Sequence, residues 1–205
     1  VNPSATPVVV LDVGNVLVEW DLGRLYPDLD EDGRRRFLSE VLTPDVNLRV
    51  DRGETLVGVC AELVAHWPEH ADLVARYRDR WLDSLGPVIG GSVQVLDELV
   101  AAGVRCLALS NFGRETFAAA RPRLGFLDRF EAVVTSAEVG LVKPDPAIYL
   151  LLCERHGFAP AEAVFVDDNA ANVAAAAALG FDAVLFTGAA SLRWELRERG
   201  LPLAP

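Results

Sequence analysis

Apolar positions along this chain follow two periods, and the alternation between them outlines the fold. Val8-Val9-Val10-Leu11 is an unbroken apolar, largely β-branched run that stops at Asp12. Similar short runs recur at 104–109, 132–134, 163–166 and 183–186. Runs of this length without polar alternation are the pattern of strands buried on both faces. Between the later runs the period lengthens to that of a helix. Residues 92–102 place Val93, Leu96, Leu99 and Val100 on one face, with Gly103 as the stop. Pro146–His156 carries Ile148, Leu151 and Leu152 and stops at Gly157. Asn169–Leu179 is alanine-rich, favours helix, and stops at Gly180.

Strands alternating with helices predict an α/β fold, a Rossmann-like three-layer arrangement with helices on both faces of a parallel sheet. Residues 21–86 break the alternation. They show no convincing strand and have helical faces of their own: Leu56, Cys60, Leu63 and Trp67, then Val74, Tyr77, Trp81 and Leu85. The expected organisation is a core of residues 1–20 and 87–205, with an all-helical insertion over 21–86 after the first strand.

Composition narrows the function. A chain of 205 residues, 51% hydrophobic and 24% charged, can bury a sizeable core. The net charge of −11 opposes binding to nucleic acid, whose phosphates need neutralising cations. It leaves room for a small anionic ligand at a local positive site. Cys60, Cys106 and Cys153 are widely spaced in apolar segments and read as reduced core residues. No apolar run reaches spanning length, and Val1–Pro7 lacks the basic start of a signal peptide, so a cytoplasmic protein with no membrane partner is expected. The absence of methionine even at position 1 suggests a processed or trimmed start. Oligomeric state is left open.

Ligands of open parallel sheets sit at the C-terminal ends of the strands. Four polar groups are predicted at that edge: Asp12, Ser110-Asn111, Lys143, and Asp167-Asp168-Asn169. Lys143 stands out, because the other 18 basic residues are all arginine. A compact ammonium fits where a wide, planar guanidinium does not. One acid ending a strand often only caps a helix; four polar groups on one edge are harder to dismiss. Clustered carboxylates repel unless a cation is present, and an oxygen-only ligand set suits Mg²⁺. An ammonium and a hydroxyl beside such an ion would hold phosphate, which an aspartate could attack.

The order Asp12, Ser110, Lys143, Asp167-Asp168 resembles the four motifs of the haloacid dehalogenase (HAD) superfamily, and Ser136–Pro146 resembles its third motif closely. The helical insertion is similar to that family's C1-type cap. The nearest branch by motif is the small sugar-phosphate phosphatases with a DLGNV-like first motif. The resemblance implies a Mg²⁺-dependent phosphomonoester hydrolase acting on a small phosphorylated metabolite. It makes Asp12 the nucleophile and a metal ligand, and the Gly14 carbonyl and Asp168 further ligands. Asp167 and Asn172 would support the metal, while Ser110 and Lys143 hold the phosphoryl group beside Asn111.

The chain departs from the family in one place. The usual phosphatase has an acid two residues after the nucleophile, where this chain has Gly14. Glu19, Arg49 or Arg52 are possible helpers, with a surface role the simpler reading, and Trp20 is expected to pack at the junction with the insertion. His66, His70 and His156 have no partner spacing and are given no chemistry. Three alternatives stand beside the phosphatase. A metal-free 2-haloacid dehalogenase is opposed by Asp167-Asp168, a pair that the resemblance assigns to phosphatases. A phosphorylated signalling receiver is opposed by the acidic pair coming last in the chain. The third is a HAD-fold protein that lost turnover with Gly14.

Overall fold

The computed structural model describes residues 7–204. The segment Val1–Thr6, read above as lacking a signal, lies outside them. Five strands form one parallel sheet: β1 (Val8–Leu11), β4 (Cys106–Ser110), β5 (Ala132–Thr135), β6 (Ala163–Asp167) and β7 (Asp182–Leu185). Their order is β5-β4-β1-β6-β7, so β1 is central. Every residue of β1, β4 and β6 is buried, as their continuous apolar runs require.

The pleat sends alternate residues to opposite faces. Val9, Leu11, Cys106, Ala108, Val164 and Val166 pack on one face. That face is covered by α5 (Gly90–Ala101), by α10 (Ala189–Glu198) and by the helical insertion. Val8, Val10, Leu107, Leu109, Ala163 and Phe165 meet α8 (Pro146–His156) and α9 (Ala170–Ala178) on the other. On that side Tyr149, Phe165 and Phe181 meet edge to face. α8 ends where the sequence predicts: Gly157 adopts φ 66, a left-handed conformation that costs a side-chain-bearing residue energy, and its N–H reaches the Cys153 carbonyl.

The insertion contains α1 (Glu31–Glu40), α2 (Pro44–Asp51), α3 (Leu56–His66) and α4 (Ala71–Asp79). The predicted faces are buried at Leu56, Cys60 and Leu63 and at Val74, Tyr77 and Trp81, while Trp67 is half-buried. Their side chains join the core cluster on the Val9 and Leu11 face. All three cysteines are free and buried. No helix among the described residues is long and apolar enough to cross a membrane.

Two expectations are corrected. The chain enters and leaves the insertion through an antiparallel strand pair, β2 (Val18–Trp20) and β3 (Leu85–Val88). Leu85 therefore begins a strand and does not continue a helical face. Strands of three and four residues, one holding Gly86-Pro87, are too short to show a period. The second correction concerns α5. Its buried face is Ser92, Val95, Leu96 and Leu99, and Val100 is 38% exposed. A polar residue on the buried face shifted the apparent apolar stripe. Similarly, Leu151 is only half-buried, and Ile148, Tyr149, Leu152 and Cys153 carry the packing of α8.

Leu96 is fully buried. Leu96→Ala should lower stability by about 2–5 kcal/mol, the usual cost of a partly collapsed leucine cavity. Val100→Ala should stay within about 0.5 kcal/mol, as for an ordinary surface change. Urea denaturation of the two variants checks the orientation of α5; equal losses would contradict it.

Candidate active site

The sheet register aligns the strand ends. Leu11 lies opposite Ala108 on β4 and Val166 on β6. The next residue, Asp12, is thereby carried to the C-terminal edge beside Asp167. Its N–H still bonds the Val166 carbonyl at 2.9 Å, and one carboxylate oxygen accepts from Val13 N–H at 2.7 Å. Ser110 ends β4 on the other side. It is buried, and its hydroxyl makes no side-chain hydrogen bond among the described residues.

Lys143 enters from the loop between α7 (Ser136–Val139) and α8. Its Nζ lies 2.9 Å from Asp12 Oδ1 and donates to Asp167 Oδ2 at 2.6 Å and to the Leu109 carbonyl at 2.9 Å. Two hydrogen bonds and one close ion pair place three acceptors around an ammonium that has three N–H groups. Burial works against the charge, but Asp12 and Asp167 outweigh it and hold the lysine above its ordinary range. Asn111 fixes the loop: its amide donates to the Lys143 carbonyl at 2.9 Å and accepts from the Lys143 N–H at 2.8 Å. Both ends of that amide are thus engaged with the lysine main chain.

The two acids of Asp167-Asp168 have different surroundings. Asp167 is fully buried, and its oxygens accept from Lys143, from Asn169 N–H at 2.8 Å and from Asn172 Nδ2 at 3.0 and 3.1 Å. Asp168 is more open and accepts from Asn15 Nδ2 at 3.1 Å. Asn15 sits at φ 55 in the turn after Asp12 and also accepts from the Trp20 N–H, which joins the turn to β2.

Carboxylate oxygens of Asp12, Asp167 and Asp168 lie within 4.8 Å of one another. Three acids share one ammonium. Burial raises the pKa of Asp12 even though Lys143 opposes it, and burial raises Asp168 as well. A hard divalent cation would relieve this strain, and the donor set, all oxygen, fits one. Asp168 and Asp12 have capacity for it. Asp167, already accepting four hydrogen bonds, is better suited to hold Lys143.

These groups form the floor of a cavity of about 440 Å³ whose lining includes Asp12, Gly14, Ser110, Asn111, Lys143 and Asp168. The insertion contributes Leu38, Leu42, Asn47, Asp51 and Trp81 to the lining of the same cavity. Trp20 also lines it, at the junction. Glu19, Arg49 and Arg52 do not. Glu19 pairs with Arg24, and Arg49 with Glu54 at 2.6 Å and Glu62 at 2.7 Å. His66, His70 and His156 also lie outside the lining. Asp51 was missed from sequence. It is one of 30 acidic residues, and only its place four residues after Asn47 on a helix hinted at a pairing.

A family model described as haloacid dehalogenase-like hydrolase matches residues 7–180. The chain is 27% identical over 176 residues to (S)-2-haloacid dehalogenase 1 of Pseudomonas sp. (strain CBS-3), covering 68% of this chain and 78% of that one. It is also 27% identical over 170 residues to phosphoglycolate phosphatase of Thiobacillus denitrificans, covering 80% of this chain and 70% of that one. Its fold is similar to that of a HAD family enzyme from Bacteroides thetaiotaomicron solved with magnesium and inorganic phosphate, at 19% identity and TM-score 0.67, covering 90% of this chain and 96% of that one. With Asp12 after its central strand, its buried lysine and its acidic pair at the end of β6, this chain belongs to the haloacid dehalogenase-like hydrolases.

Proposed function

We propose that the protein is a Mg²⁺-dependent phosphomonoester hydrolase working through a phosphoaspartate on Asp12. One observation carries the reading: Asp12, the Lys143 ammonium and the open Asp168 line one cavity with Ser110, whose hydroxyl has no side-chain hydrogen-bond partner among the described residues. Asp12, Asp168 and the Gly14 carbonyl would hold the ion, with Asp167 behind them. Bound there, Mg²⁺ would offset the charge of the acids and of the phosphoryl oxygens. An Asp12 oxygen attacks phosphorus, the ester oxygen leaves, and water then releases phosphate. Ser110 donates to a phosphoryl oxygen, the Lys143 charge stabilises the phosphoryl group without a further hydrogen bond, and Asn111 keeps the lysine in place. Residues 21–86 act as a cap over the core of 1–20 and 87–205, contributing to the lining of the cavity that holds Asp12.

The lining also favours a phosphatase over a dehalogenase. Apart from Lys143, its charged side chains among the described residues are all acidic: Asp12, Asp21, Asp51 and Asp168. A 2-haloacid brings a carboxylate, for which this wall has no second cation. The same argument selects substrates whose remainder is neutral. A small sugar phosphate fits, its ring resting on Trp20 or Trp81 and its hydroxyls reaching Asn47 or Asp21.

Mg²⁺ should activate the hydrolysis of sugar phosphates, excess chelator should abolish it, and Ca²⁺ should inhibit because its looser shell misplaces the nucleophile. Asp12→Asn should keep its fold and fall below about a tenth of wild-type turnover, and rapid quench should find the phosphoryl group on Asp12. Full activity in chelator would overturn the reading.

Lys143→Arg should lose roughly 10²-fold in kcat/KM, comparable to removing a preorganised donor. Lys143→Ala should also lose about 3–5 kcal/mol of stability at neutral pH, since two buried acids lose their counter-charge. Burial already pushes Asp12 up to about 7 with the lysine present, and losing the lysine removes the charge that opposes this rise. The penalty is therefore fully present above the folded pKa and shrinks as pH falls from there toward the unfolded carboxylate value, from about 7 down to about 4. Denaturation of the Ala variant across that window, compared with wild type, measures it.

Finally, kcat/KM for a neutral-bodied sugar monophosphate should exceed that for phosphoglycolate by roughly tenfold or more, as expected for a second anion facing uncompensated acids. A preference for phosphoglycolate in a parallel assay would contradict the electrostatic argument.

A further inference from the structure

We propose that Asp51, delivered by the helical insertion, is the acid–base residue of this site. The inference rests on the phosphatase reading and deepens it. Position 14 has no acid, and the gap there is not steric: a Cβ on Gly14 would meet nothing within 4 Å. Gly14 lines the same cavity that Asp51 lines.

Asp51 is held as a working group would be. One carboxylate oxygen accepts from Asn47 Nδ2 at 2.9 Å, and the buried Tyr77 hydroxyl donates to Asn47 Oδ1 at 2.9 Å. The hydroxyl thereby turns the amide so that its N–H₂ faces the carboxylate. The Gly113 amide, just past β4, lies against the same carboxylate. The main chain is tied as well: Ser136 Oγ donates to the Asp51 carbonyl at 2.6 Å and accepts from Phe112 N–H at 2.9 Å. Close approach is needed, because a Cβ on Gly113 would come within 2.6 Å of Val50 Cγ1 and 3.2 Å of the Val50 carbonyl. Core and insertion thus meet where Asp51 projects.

The other acids of the lining are committed elsewhere. Asp21 accepts from Gly23 N–H at 2.7 Å as a helix cap. Asp12 is the nucleophile, and Asp168 belongs to the ion. The groups acting on Asp51 are the Asn47 amide, the Gly113 N–H, Asp12 and Lys143. Burial, reinforced by the Asp12 charge and opposed by the Gly113 amide, pushes its carboxyl up to about 7. A carboxyl in that range can both donate and accept near neutrality.

The chemistry balances. As an Asp12 oxygen bonds to phosphorus and the P–O ester bond breaks, the leaving oxygen takes the Asp51 proton and departs as an alcohol. Water then attacks the phosphoaspartate and gives a proton to the Asp51 carboxylate. The P–O bond to Asp12 breaks, which restores Asp12 as a carboxylate and Asp51 as an acid.

The test is Asp51→Asn with two esters in Mg²⁺. Ethyl phosphate has a poor leaving group and needs the acid; para-nitrophenyl phosphate does not. The variant should lose roughly 10²-fold or more in kcat/KM for ethyl phosphate and less than roughly tenfold for the aryl ester, as removal of a general acid predicts. Because its second step also lacks a base, intact-mass spectrometry during aryl turnover should show a phosphoryl adduct accumulating above the wild-type level. Equal losses on both esters, or no loss on either, would overturn the assignment of Asp51 while leaving the phosphatase standing. A wild-type protein that turns over neither ester overturns both. Thermal unfolding confirms that the isosteric variant is folded, and Asp51→Ser provides a second variant read by the same ratio.

Discussion

A single buried ammonium ties the site together. Lys143 Nζ joins Asp12 after β1, the Leu109 carbonyl of β4 and Asp167 of β6, so one charge bridges three adjacent strands. An ion this deep loses several kcal/mol of hydration, which its partners must offset. Here three acceptors surround the ammonium, and Asn111 grips the lysine main chain from β4. The arrangement explains why the chain's one lysine stands at this position among arginines. A forked, planar cation has no way to meet three convergent acceptors that suit a point charge.

The same edge also creates an imbalance. Three carboxylates face one ammonium, and the insertion adds Asp51 and Asp21 to the wall. Such a cavity is poised for a small cation and, with it, for a phosphoryl dianion. It is poorly suited to a ligand bearing a second anion. On the proposed reading, specificity would arise as much from the cations that the insertion withholds as from the contacts it offers.

The fold was largely readable because burial on both faces writes strands as unbroken apolar runs. Asp12, Ser110 and Asp167 follow such runs directly, and a parallel sheet aligns strand ends whatever the loops do. β2 and β3 escaped notice because three or four residues show no period. The α5 face was displaced because Ser92 is buried, and hydrophobicity does not report a buried polar residue.

Asp51 marks the boundary between what the chain declares locally and what folding decides. Strand ends, glycine stops and the acidic pair depend on residues near in sequence, so their local pattern carried them. The approach of α2 to the sheet depends on Ser136 meeting the Asp51 carbonyl across 85 residues, and on Gly113 leaving room for Val50. No periodicity encodes the angle at which one helix packs on a distant loop. It is set by which side chains interlock once the core has formed, and that packing brings Asp51 to the lining of the cavity that Asp12 and Gly14 share.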